Sequence, residues 1–436
     1  MFLKKYLSFI GVLLFLVFFA GFMVNTSFAE EKVITVFMDI GGAGSAQTGA
    51  LEMFNEIYKG QYRVEPVRVA WEGMREQVYT EFVAKTGAYD VIAISAQWRD
   101  AAYSFLEDLT PWVEKYGPSL DEFVGGMRNY CQYNGRIWGL PIRQGITNLL
   151  YAREDLFEEF GLSVPKTPDE ILPAARKLTI DRDGDGKTDI YGIGIMGAGH
   201  PMTSEDFYVW LYNRGGRILD ENNQVMPFES KHGELAVKVL EEWKTMMEEG
   251  IFPPGVLTWG LWEPLSYMQE GKLAMATMFS PRVALVEDPE KSMVAGKVGY
   301  YTFPHVPVEE GGVSGLGGWA LGIPNYISEE RKEIAYKYIS FVASFEAQME
   351  MALNWANEPI RIDVFNHPDY LAAAPAASAV LEASESAFPY PELFCVQAPD
   401  IGTLVADNVR AVIEGEITPE QGGRNIFEGT KKIMGQ

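Results

Sequence analysis

The sequence predicts an α/β protein made of two lobes, and three features support this. Short β-branched runs alternate with helical segments. The sequence has two cysteines, so the fold must rest on a hydrophobic core and not on disulfides. Neither an internal repeat nor a low-complexity linker divides the chain. Alternating strands and helices indicate largely parallel sheets that helices cover on both faces. A chain of 436 residues is long enough for two or three domain-sized units.

Residues 1 to 29 have the pattern of a secretory signal peptide. Two lysines form a positive start, an almost wholly apolar run extends from residue 9 to residue 24, and Ser27-Phe28-Ala29 is a small-x-small cleavage site. An uncleaved membrane anchor is the alternative, but the apolar run is short and glycines interrupt it. We therefore expect a mature chain that begins near Glu30 and is periplasmic or secreted.

Two cysteines are too few for a disulfide framework in a chain of this length, so the fold must rest on a hydrophobic core. Whether Cys131 and Cys395 pair with each other depends on the fold, and the sequence leaves it open. Neither of them follows the apolar run near the amino terminus, which excludes a lipoprotein.

The chain is strongly acidic. Its formal net charge is −24, and loss of the signal segment removes two of 36 basic residues and no acids, which leaves 34 against 60, or −26. Such a surface repels nucleic acid and anionic lipid, so nucleic acid is excluded as a partner. A hydrophobic content of 47%, with 10 Trp, 21 Tyr and 25 Phe, argues against disorder.

The first part of the mature chain consists of strand–helix units. "KVITVFMDI" is a β-branched strand, and the glycine turn "GGAGS" leads into the helix "GALEMFNEIYKG", which Gly60 ends. "QYRVEPVRV" and "YDVIAIS" are further strands, separated by the helix "MREQVYTEFVAKTG". Units of this kind predict a parallel sheet.

A second set of elements begins at "GRIWGLPIRQGITNLLYAREDLFEEFG". Thr167-Pro168-Asp169-Glu170 combines a capping hydroxyl, a proline at the first helical position and a glutamate that closes a capping box, and Thr418-Pro419-Glu420-Gln421 repeats the motif. Pro173 should kink or shorten the first of these helices. "SEDFYVWLYNRGG" predicts a helix capped by Ser204, and "SEERKEIAYKYISFVASFEAQMEMAL" predicts one long helix. "KVGYYTFPHV" and "GGWALGIP" are strands between these helices.

Signals for nucleotide binding and for catalysis are weak. After Gly42 and Gly44, the third glycine of a dinucleotide fingerprint would fall at Gln47, and no Lys-Ser/Thr pair follows. The four histidines lack the spacing of a zinc helix, and no Gly-x-Ser-x-Gly elbow occurs. A pair of glycosidase carboxylates is defined by a distance in space, so the sequence leaves it open. We predict a protein that is not an enzyme and requires no cofactor.

Five tryptophans are placed mostly at predicted strand ends or in loops, where open α/β sheets bind ligands. An indole ring offers a flat apolar face to the C–H side of a sugar, while neighbouring Asp, Asn, Gln and Arg side chains bind its hydroxyls. Packing in the core is the alternative for each of them. As a group they predict a carbohydrate site, and they are Trp98, Trp259, Trp262, Trp319 and Trp355.

Seven segments resemble, in the same order, the blocks shared by the extracellular solute-binding proteins of family 1, which serve bacterial ABC sugar importers. The segments are "YDVIAIS", "LEDLTPWVEKYG", "GRIWGLPIRQGITNLLYAREDLFEEFGL", "YMQEGKLAMATM", "DPEKSMVAGKVGYYTFP", "GLGGWALGIP" and "GEITPEQGG". The resemblance covers nearly all of the mature chain. It implies a type II periplasmic-binding fold, in which two α/β lobes joined by crossovers hold a ligand in the cleft between them.

The resemblance divides the mature chain into one lobe of residues 30–143 and 301–350 and another of residues 144–300 and 351–436. It implies a monomer that binds a sugar or small oligosaccharide, closes around it and delivers it to ABC permease subunits in the membrane. A binder of another solute, such as a polyol phosphate or a peptide, and a secreted glycosidase or lectin are the alternatives. A shared fold alone does not decide the ligand.

The resemblance also places individual side chains near the ligand. The crossover block "GLPIRQGITNLLY" would run along the cleft, and "GLGGW" matches a segment whose tryptophan often stacks on sugar, which makes Trp319 the first choice. Gln97 and Trp98 stand where relatives frequently carry an acid that binds hydroxyls. Arginines in this set would serve a carboxylate or a phosphate as well as a neutral polyol. The other residues placed by the resemblance are Asp39, Arg143, Gln144, Asn148 and Arg361.

"DRDGDGKTDIYG", residues 181 to 192, is similar to a calcium-binding EF-hand loop. The residues at loop positions 1, 3, 5, 7 and 9 are Asp181, Asp183, Asp185, Lys187 (through its carbonyl) and Asp189. Position 12 is Gly192, where an EF-hand has a bidentate glutamate. The loop is therefore either a structural calcium site or a solvated turn.

Overall fold

The computed structural model describes residues 31–95, 98–146, 149–355 and 357–436. The predicted signal peptide lies outside these residues. Within the described ranges, no helix is both long enough and apolar enough to cross a membrane.

The described part of the chain contains eleven strands. In chain order they are β1 (Lys32–Asp39), β2 (Tyr62–Val69), β3 (Val91–Ser95), β4 (Gln132–Tyr133), β5 (Arg136–Ile137), β6 (Leu140–Ile146), β7 (Leu149–Arg153), β8 (Tyr191–Gly194), β9 (Leu273–Met278), β10 (Val298–Thr302) and β11 (Leu316–Gly322).

Helices separate most of these strands, which confirms the α/β class. They are α1 (Gly42–Ile57), α2 (Trp71–Ala84), α3 (Arg99–Ala102), α4 (Thr110–Tyr116), α5 (Gly125–Cys131), α6 (Glu154–Glu159), α7 (Ile171–Lys177), α8 (Met202–Tyr212), α9 (Lys231–Glu248), α10 (Glu263–Gln269), α11 (Val283–Val286), α12 (Glu329–Val342), α13 (Phe345–Asn354), α14 (Ile362–Phe365), α15 (Pro368–Ala373), α16 (Ala377–Glu385), α17 (Pro391–Phe394), α18 (Ala398–Ile413) and α19 (Pro419–Met434).

The first sheet has five strands in the order β2-β1-β3-β11-β6. β1 pairs in parallel with β2 and β3, whereas β11 runs antiparallel to both of its neighbours. β3 is buried along its whole length, as expected of a strand that is covered on both faces.

The second sheet has the order β10-β7-β9-β8, in which β7 runs antiparallel to β9 and β10. β7 and β11 depart from the predicted parallel arrangement for the same reason. β7 is the strand with which the chain enters the second sheet, after it leaves the first sheet at the carboxyl end of β6. β11 is the strand with which the chain returns to the first sheet, after it leaves the second sheet at the carboxyl end of β10. An entering strand starts at the edge where its neighbours end, so it runs in the opposite direction. The carboxyl ends of the remaining strands of both sheets therefore lie where the chain crosses over.

We call the first sheet with its helices the first lobe, and the second sheet with its helices the second lobe. The predicted boundaries at residues 143/144, 300/301 and 350/351 fall inside β6, β10 and α13. Hydrogen-bonded pairing keeps β6 in the first sheet as far as Ile146 and β10 in the second sheet as far as Thr302. The two crossings between the sheets therefore follow these strands.

Two helix-start signals act as expected. The Thr418 hydroxyl accepts a hydrogen bond from the backbone N–H of Gln421 at 3.1 Å, which caps α19. The backbone N–H of Thr167 donates to the Glu170 carboxylate at 3.2 Å, as predicted for a capping box. Pro173 lies in the first turn of α7, which begins only at Ile171 after the 3₁₀ turn Pro168–Glu170, so the α-helical part is shorter than the capping box predicts.

Two other helix starts differ from the prediction. α8 begins at Met202, so Ser204 lies inside it, and its hydroxyl donates to the Pro201 carbonyl at 3.0 Å. The predicted long helix is divided into α12 and α13, because Ser344 adopts extended backbone and caps α13 through the N–H of Ala347.

The cysteines lie in different lobes. Cys131 ends α5 in the first lobe and Cys395 follows α17 in the second, and they are not joined in a disulfide. Both are buried, and burial raises the pKa of the Cys131 thiol.

Candidate ligand-binding cleft

A cleft with a volume of about 590 Å³ opens between the two lobes. The first lobe contributes Arg75, Trp98 and Arg143 to its lining. A cavity of this size suits a small ligand. The second lobe contributes, among others, His200, Met202, Glu205, Leu261, Phe279 and Arg282.

The cleft lies at the carboxyl ends of strands from both sheets. Trp98 follows β3, and Phe279 and Arg282 follow β9. These ends meet because the chain crosses between the lobes there. Open α/β sheets commonly bind ligands at the carboxyl ends of their strands, because the loops that follow these ends carry functional side chains.

Two predicted ligand-binding residues, Trp98 and Arg143, line the cleft, and a third, Trp319, packs against Trp98. The rings of Trp98 and Trp319 pack edge to face, with their centroids 5.9 Å apart. Trp319 lies in β11, where it is paired with Arg143 of β6 on one side and with Ser95 of β3 on the other. Trp98 and Arg143 line the cleft, and although Trp98 is only 4% exposed, part of its indole ring and a cationic donor face the same space.

Asp39 lies close to this wall, at the carboxyl end of β1. Its buried carboxylate accepts a hydrogen bond from the backbone N–H of Gly44 at 2.6 Å, at the start of α1. A side chain at Gly44 would place its Cβ 1.7 Å from the Asp39 carbonyl oxygen, so this close approach requires glycine. Burial raises the pKa of Asp39, while backbone N–H groups and the nearby Arg143 guanidinium partly offset that effect.

Two other predicted ligand-binding residues are engaged elsewhere. Gln144 is fully buried, and its Oε1 accepts a hydrogen bond from the Ser384 hydroxyl at 3.0 Å. Arg361 is buried and forms ion pairs with Glu122 and Asp363, each at 2.7 Å. Its charge is therefore already neutralised within the protein, which argues against a role in ligand binding.

Trp259 and Trp262 have different environments although they are three residues apart. Trp259 is buried against Tyr267, with a ring-centroid distance of 4.4 Å, so core packing accounts for it. Trp262 is 58% exposed, and the guanidinium carbon of Arg282 lies 4.0 Å from the centroid of its ring. Trp262 thus supports a side chain that lines the cleft.

Of the remaining predicted residues, Trp355 is not among the described residues that line the cleft. Trp355 packs against Gly49 of α1, and its Nε1 donates to a Glu350 carboxylate oxygen at 3.3 Å. Gln97 and Asn148 lie outside the described residues.

The sequence prediction missed four polar residues that line the cleft, namely Arg75, His200, Glu205 and Arg282. Burial raises the pKa of the Glu205 carboxyl to about 7 and lowers the pKa of His200, whose Nδ1 lies 2.9 Å from the Ser204 hydroxyl oxygen. Arg282 could have been found, because it stands just after a buried strand, in "LAMATMFSPR". The other three have no such signal in the local sequence.

The acidic loop lies on the surface of the second lobe. Carboxylate oxygens of Asp181, Asp183 and Asp189 lie within 4.8 Å of one another. The Asp181 carboxylate accepts hydrogen bonds from the N–H groups of Gly186 at 2.9 Å and Gly184 at 2.7 Å, which lower its pKa. Three acidic ligands are therefore close together on a loop that is already ordered by its own hydrogen bonds.

The other EF-hand positions differ from a complete calcium site. The Asp185 carboxylate accepts from the backbone N–H of Lys187 at 2.8 Å and from its ammonium group at 3.2 Å. Gly192 lies in β8 against α7, where an added Cβ would be 2.1 Å from the Ala175 carbonyl oxygen. This packing explains why no glutamate stands at position 12. Calcium binding by the loop stays a prediction.

We expect calcium to bind this loop weakly, with a dissociation constant on the order of 10⁻⁴ M or above, because three carboxylates replace the usual six to eight ligands. Calorimetric titration of chelator-treated protein measures it. An Asp183→Asn variant should lose the heat, whereas Asp220→Asn, in another acidic turn, should retain it. A flat trace for the unmodified protein would identify the loop as a solvated turn.

The family model described as bacterial extracellular solute-binding protein matches residues 42–349. A mannitol-binding protein of Pseudomonas aeruginosa is 27% identical over 384 residues, which cover 83% of this chain and 84% of that protein. A probable amino-acid ABC transporter periplasmic-binding protein of Sinorhizobium fredii is 23% identical over 422 residues, covering 94% and 88%.

Solved structures share the fold. Maltose-bound MalE3 of T. maritima superposes with a TM-score of 0.74 at 29% identity, over 92% of this chain and 99% of that one. An ABC transporter solute-binding protein of Agrobacterium radiobacter in complex with ribitol has a TM-score of 0.74 at 24% identity, over 93% and 99%. These structures confirm the predicted type II periplasmic-binding fold. The chain belongs to the bacterial extracellular solute-binding proteins, a family of binding proteins and not of enzymes.

Proposed function

We propose that the chain is the exported substrate-binding component of an ABC importer and that it binds a sugar, a polyol or a small oligosaccharide between its lobes. The observation that carries this proposal is the presence of Trp98 and Arg143 at one wall of the cleft, with Trp319 packed against Trp98 and paired with Arg143 in the sheet. Aromatic rings bind the C–H faces of carbohydrates, and a guanidinium donates hydrogen bonds to hydroxyl oxygens.

The named ligands of similar proteins support the same class. Maltose, mannitol and ribitol share a chain or ring of adjacent hydroxyl groups. One relative is named for amino acids, so amino acids form the second class of ligand to be tested.

The two-lobed architecture supplies the mechanism. Side chains from both lobes line the cleft, so a ligand that contacts both favours the closed arrangement over the open one. Closure removes water from the polar contacts and strengthens them. No covalent change of the ligand is needed.

Export and delivery complete the proposal. The segment of residues 1 to 29 directs the chain out of the cytoplasm and is removed, and the protein acts as a monomer. The permease subunits of the importer recognise the closed form, so transport depends on the bound ligand.

A ligand panel tests the proposed function. Maltose, mannitol and ribitol are compared with glycine, glutamate and leucine by intrinsic tryptophan fluorescence and by thermal unfolding. We expect at least one carbohydrate to change the fluorescence and to raise the melting temperature. A ligand at one hundred times its dissociation constant stabilises the folded state by about 2.7 kcal/mol.

The cleft residues are tested with two tryptophan variants. Trp319→Ala should weaken carbohydrate binding by roughly 30-fold, because Trp319 packs against the cleft residue Trp98 and loss of an aromatic anchor costs about 2 kcal/mol. Trp112→Ala is the control, since Trp112 is also half-buried but packs against Tyr336 of the first lobe. Equal affinities for both variants would exclude the proposed wall. Binding of amino acids without carbohydrates would exclude the sugar class.

A further inference from the structure

We propose that the ligand of this cleft carries an anionic group, as a carboxylate or phosphate on a sugar or polyol does, and that Arg75, Arg143 and Arg282 bind it. This inference rests on the proposed function and narrows its ligand class. It follows from the charge of the cleft, the partners of its arginines and their distribution over the two lobes.

The cleft has a charge opposite to that of the whole chain. Among the described residues that line it, Glu205 is the single acid, against three arginines. The chain as a whole carries a net charge of −24. A concave site lined by one sign of charge concentrates ligands of the other sign. The cleft therefore attracts anions although the protein surface repels them.

The three arginines lack acidic partners among the described residues. In the described ranges, no carboxylate oxygen lies within 4.0 Å of a nitrogen of Arg75, Arg143 or Arg282. The most deeply buried arginines differ in this respect, since Arg153 pairs with Asp155, Arg214 with Glu242 and Arg361 with two acids. The charges in the cleft are thus available to a ligand.

Arg282 shows most clearly that a guanidinium buried without an acidic partner is energetically unfavourable. Its side chain is half-buried, and burial lowers its pKa because no carboxylate compensates for the lost hydration. Its Nε is buried and has no hydrogen-bond partner among the described residues. Trp262 holds the guanidinium in place from one face, at 4.0 Å from the ring centroid. An anionic ligand would supply the missing partner to a group that is already oriented.

The acidic and basic groups nearby do not cancel this charge. The Asp39 carboxylate interacts electrostatically with Arg143 but forms no ion pair with it in the described structure. Instead, this carboxylate accepts a hydrogen bond from the backbone N–H of Gly44. Burial keeps a large fraction of Glu205 protonated near pH 7, and it keeps His200 neutral. The net charge of the cleft therefore stays positive near neutral pH.

The arginines also come from both sides of the cleft. Arg75 and Arg143 belong to the first lobe and Arg282 to the second. A guanidinium presents parallel N–H groups that match the two oxygens of a carboxylate or a phosphate. An anion held from both lobes would favour closure, while the hydroxyl groups and C–H face of the ligand meet Trp98 and its neighbours.

The test compares matched ligand pairs by isothermal titration calorimetry. D-galacturonate is compared with D-galactose, and mannitol 1-phosphate with mannitol. We expect the anionic member of at least one pair to bind on the order of 10- to 100-fold more tightly than its neutral partner. The pair with the larger ratio shows whether the anion is a carboxylate or a phosphate. Higher salt should reduce the ratio.

Variants assign the preference to the arginines. Arg143→Gln and Arg282→Gln should each remove most of the preference, and Arg282→Lys, which keeps the charge but loses the paired N–H groups, should remove part of it. Arg176→Gln, on the exposed surface of the second lobe, should change nothing. Thermal unfolding confirms that each variant is folded before its affinity is measured.

Two results would overturn the proposal, and they are distinguishable. If a neutral sugar or polyol binds as tightly as its anionic partner, the anionic ligand is excluded while the carbohydrate function stands. If no member of either pair binds and the wider panel of neutral carbohydrates also fails, the proposed function itself is excluded.

Discussion

Replacement of Arg214 by leucine is expected to lower the free energy of unfolding by about 3–5 kcal/mol. Arg214 follows α8 and forms an ion pair with Glu242 of α9, and the two side chains are only 2% and 11% exposed. Removal of the guanidinium leaves the Glu242 carboxylate in the core, where burial already raises its pKa. Denaturant unfolding at pH 7 measures the change.

Two further variants identify the cause of this effect. The double variant Arg214→Leu with Glu242→Leu should recover most of the lost stability, because two apolar side chains can replace a buried ion pair. Arg176→Leu breaks the ion pair between Arg176 and Glu249, whose side chains are 49% and 40% exposed, and should change the stability far less than Arg214→Leu does. Similar losses for Arg214→Leu and Arg176→Leu would contradict the argument.

Replacement of Glu205 by glutamine should stabilise the protein by about 3 kcal/mol at pH 8 and leave its stability at pH 4 unchanged. Burial alone raises the pKa of this carboxyl from 4.5 to about 7. The folded state thus binds the proton more tightly than the unfolded chain. The stability contributed by this group is complete below pH 4.5 and is lost as the pH rises through about 7. The difference of about 2.5 pKa units (7 − 4.5) corresponds to about 3 kcal/mol.

The measurement is the difference in unfolding free energy between variant and unmodified protein from pH 4 to pH 8. Effects of other ionisable groups cancel in this difference, because glutamine changes only the charge at position 205. Glu428→Gln, on the exposed face of α19, is the control and should give a difference near zero at every pH. A pH-independent difference for Glu205→Gln would show that folding does not shift the pKa of this carboxyl.

Much of the fold could be predicted because its signals are local. β-branched runs, glycine turns and capping motifs each lie within a few residues, and they identified most of the strands and helices correctly. The directions of β7 and β11 could not be predicted in this way. They depend on the edge from which the chain enters a sheet, which is a property of the complete topology. The break between α12 and α13 was missed although Ser344 is a local capping signal.

The candidate site was predicted in part for the same reason. Trp98 follows the buried strand β3 and Trp319 lies in β11, and the structure places their rings in contact, with Trp319 paired with Arg143. Local sequence could not show that Gln144 would bind Ser384, because that contact joins segments that are far apart in the chain. It also could not show the burial that shifts the pKa of Glu205.

By itself, the sequence determined the α/β class, the family and the strand-end tryptophans, since these follow from local patterns and their order along the chain. Only the tertiary structure decided which charged side chains face the cleft. Arg361, proposed from the sequence, forms an ion pair with Glu122, which is 239 residues away. Arg282, which the sequence prediction missed, lines the cleft without a carboxylate partner among the described residues. Whether an arginine is neutralised depends on residues that only folding brings within 4 Å, and that distance is not written in any local pattern.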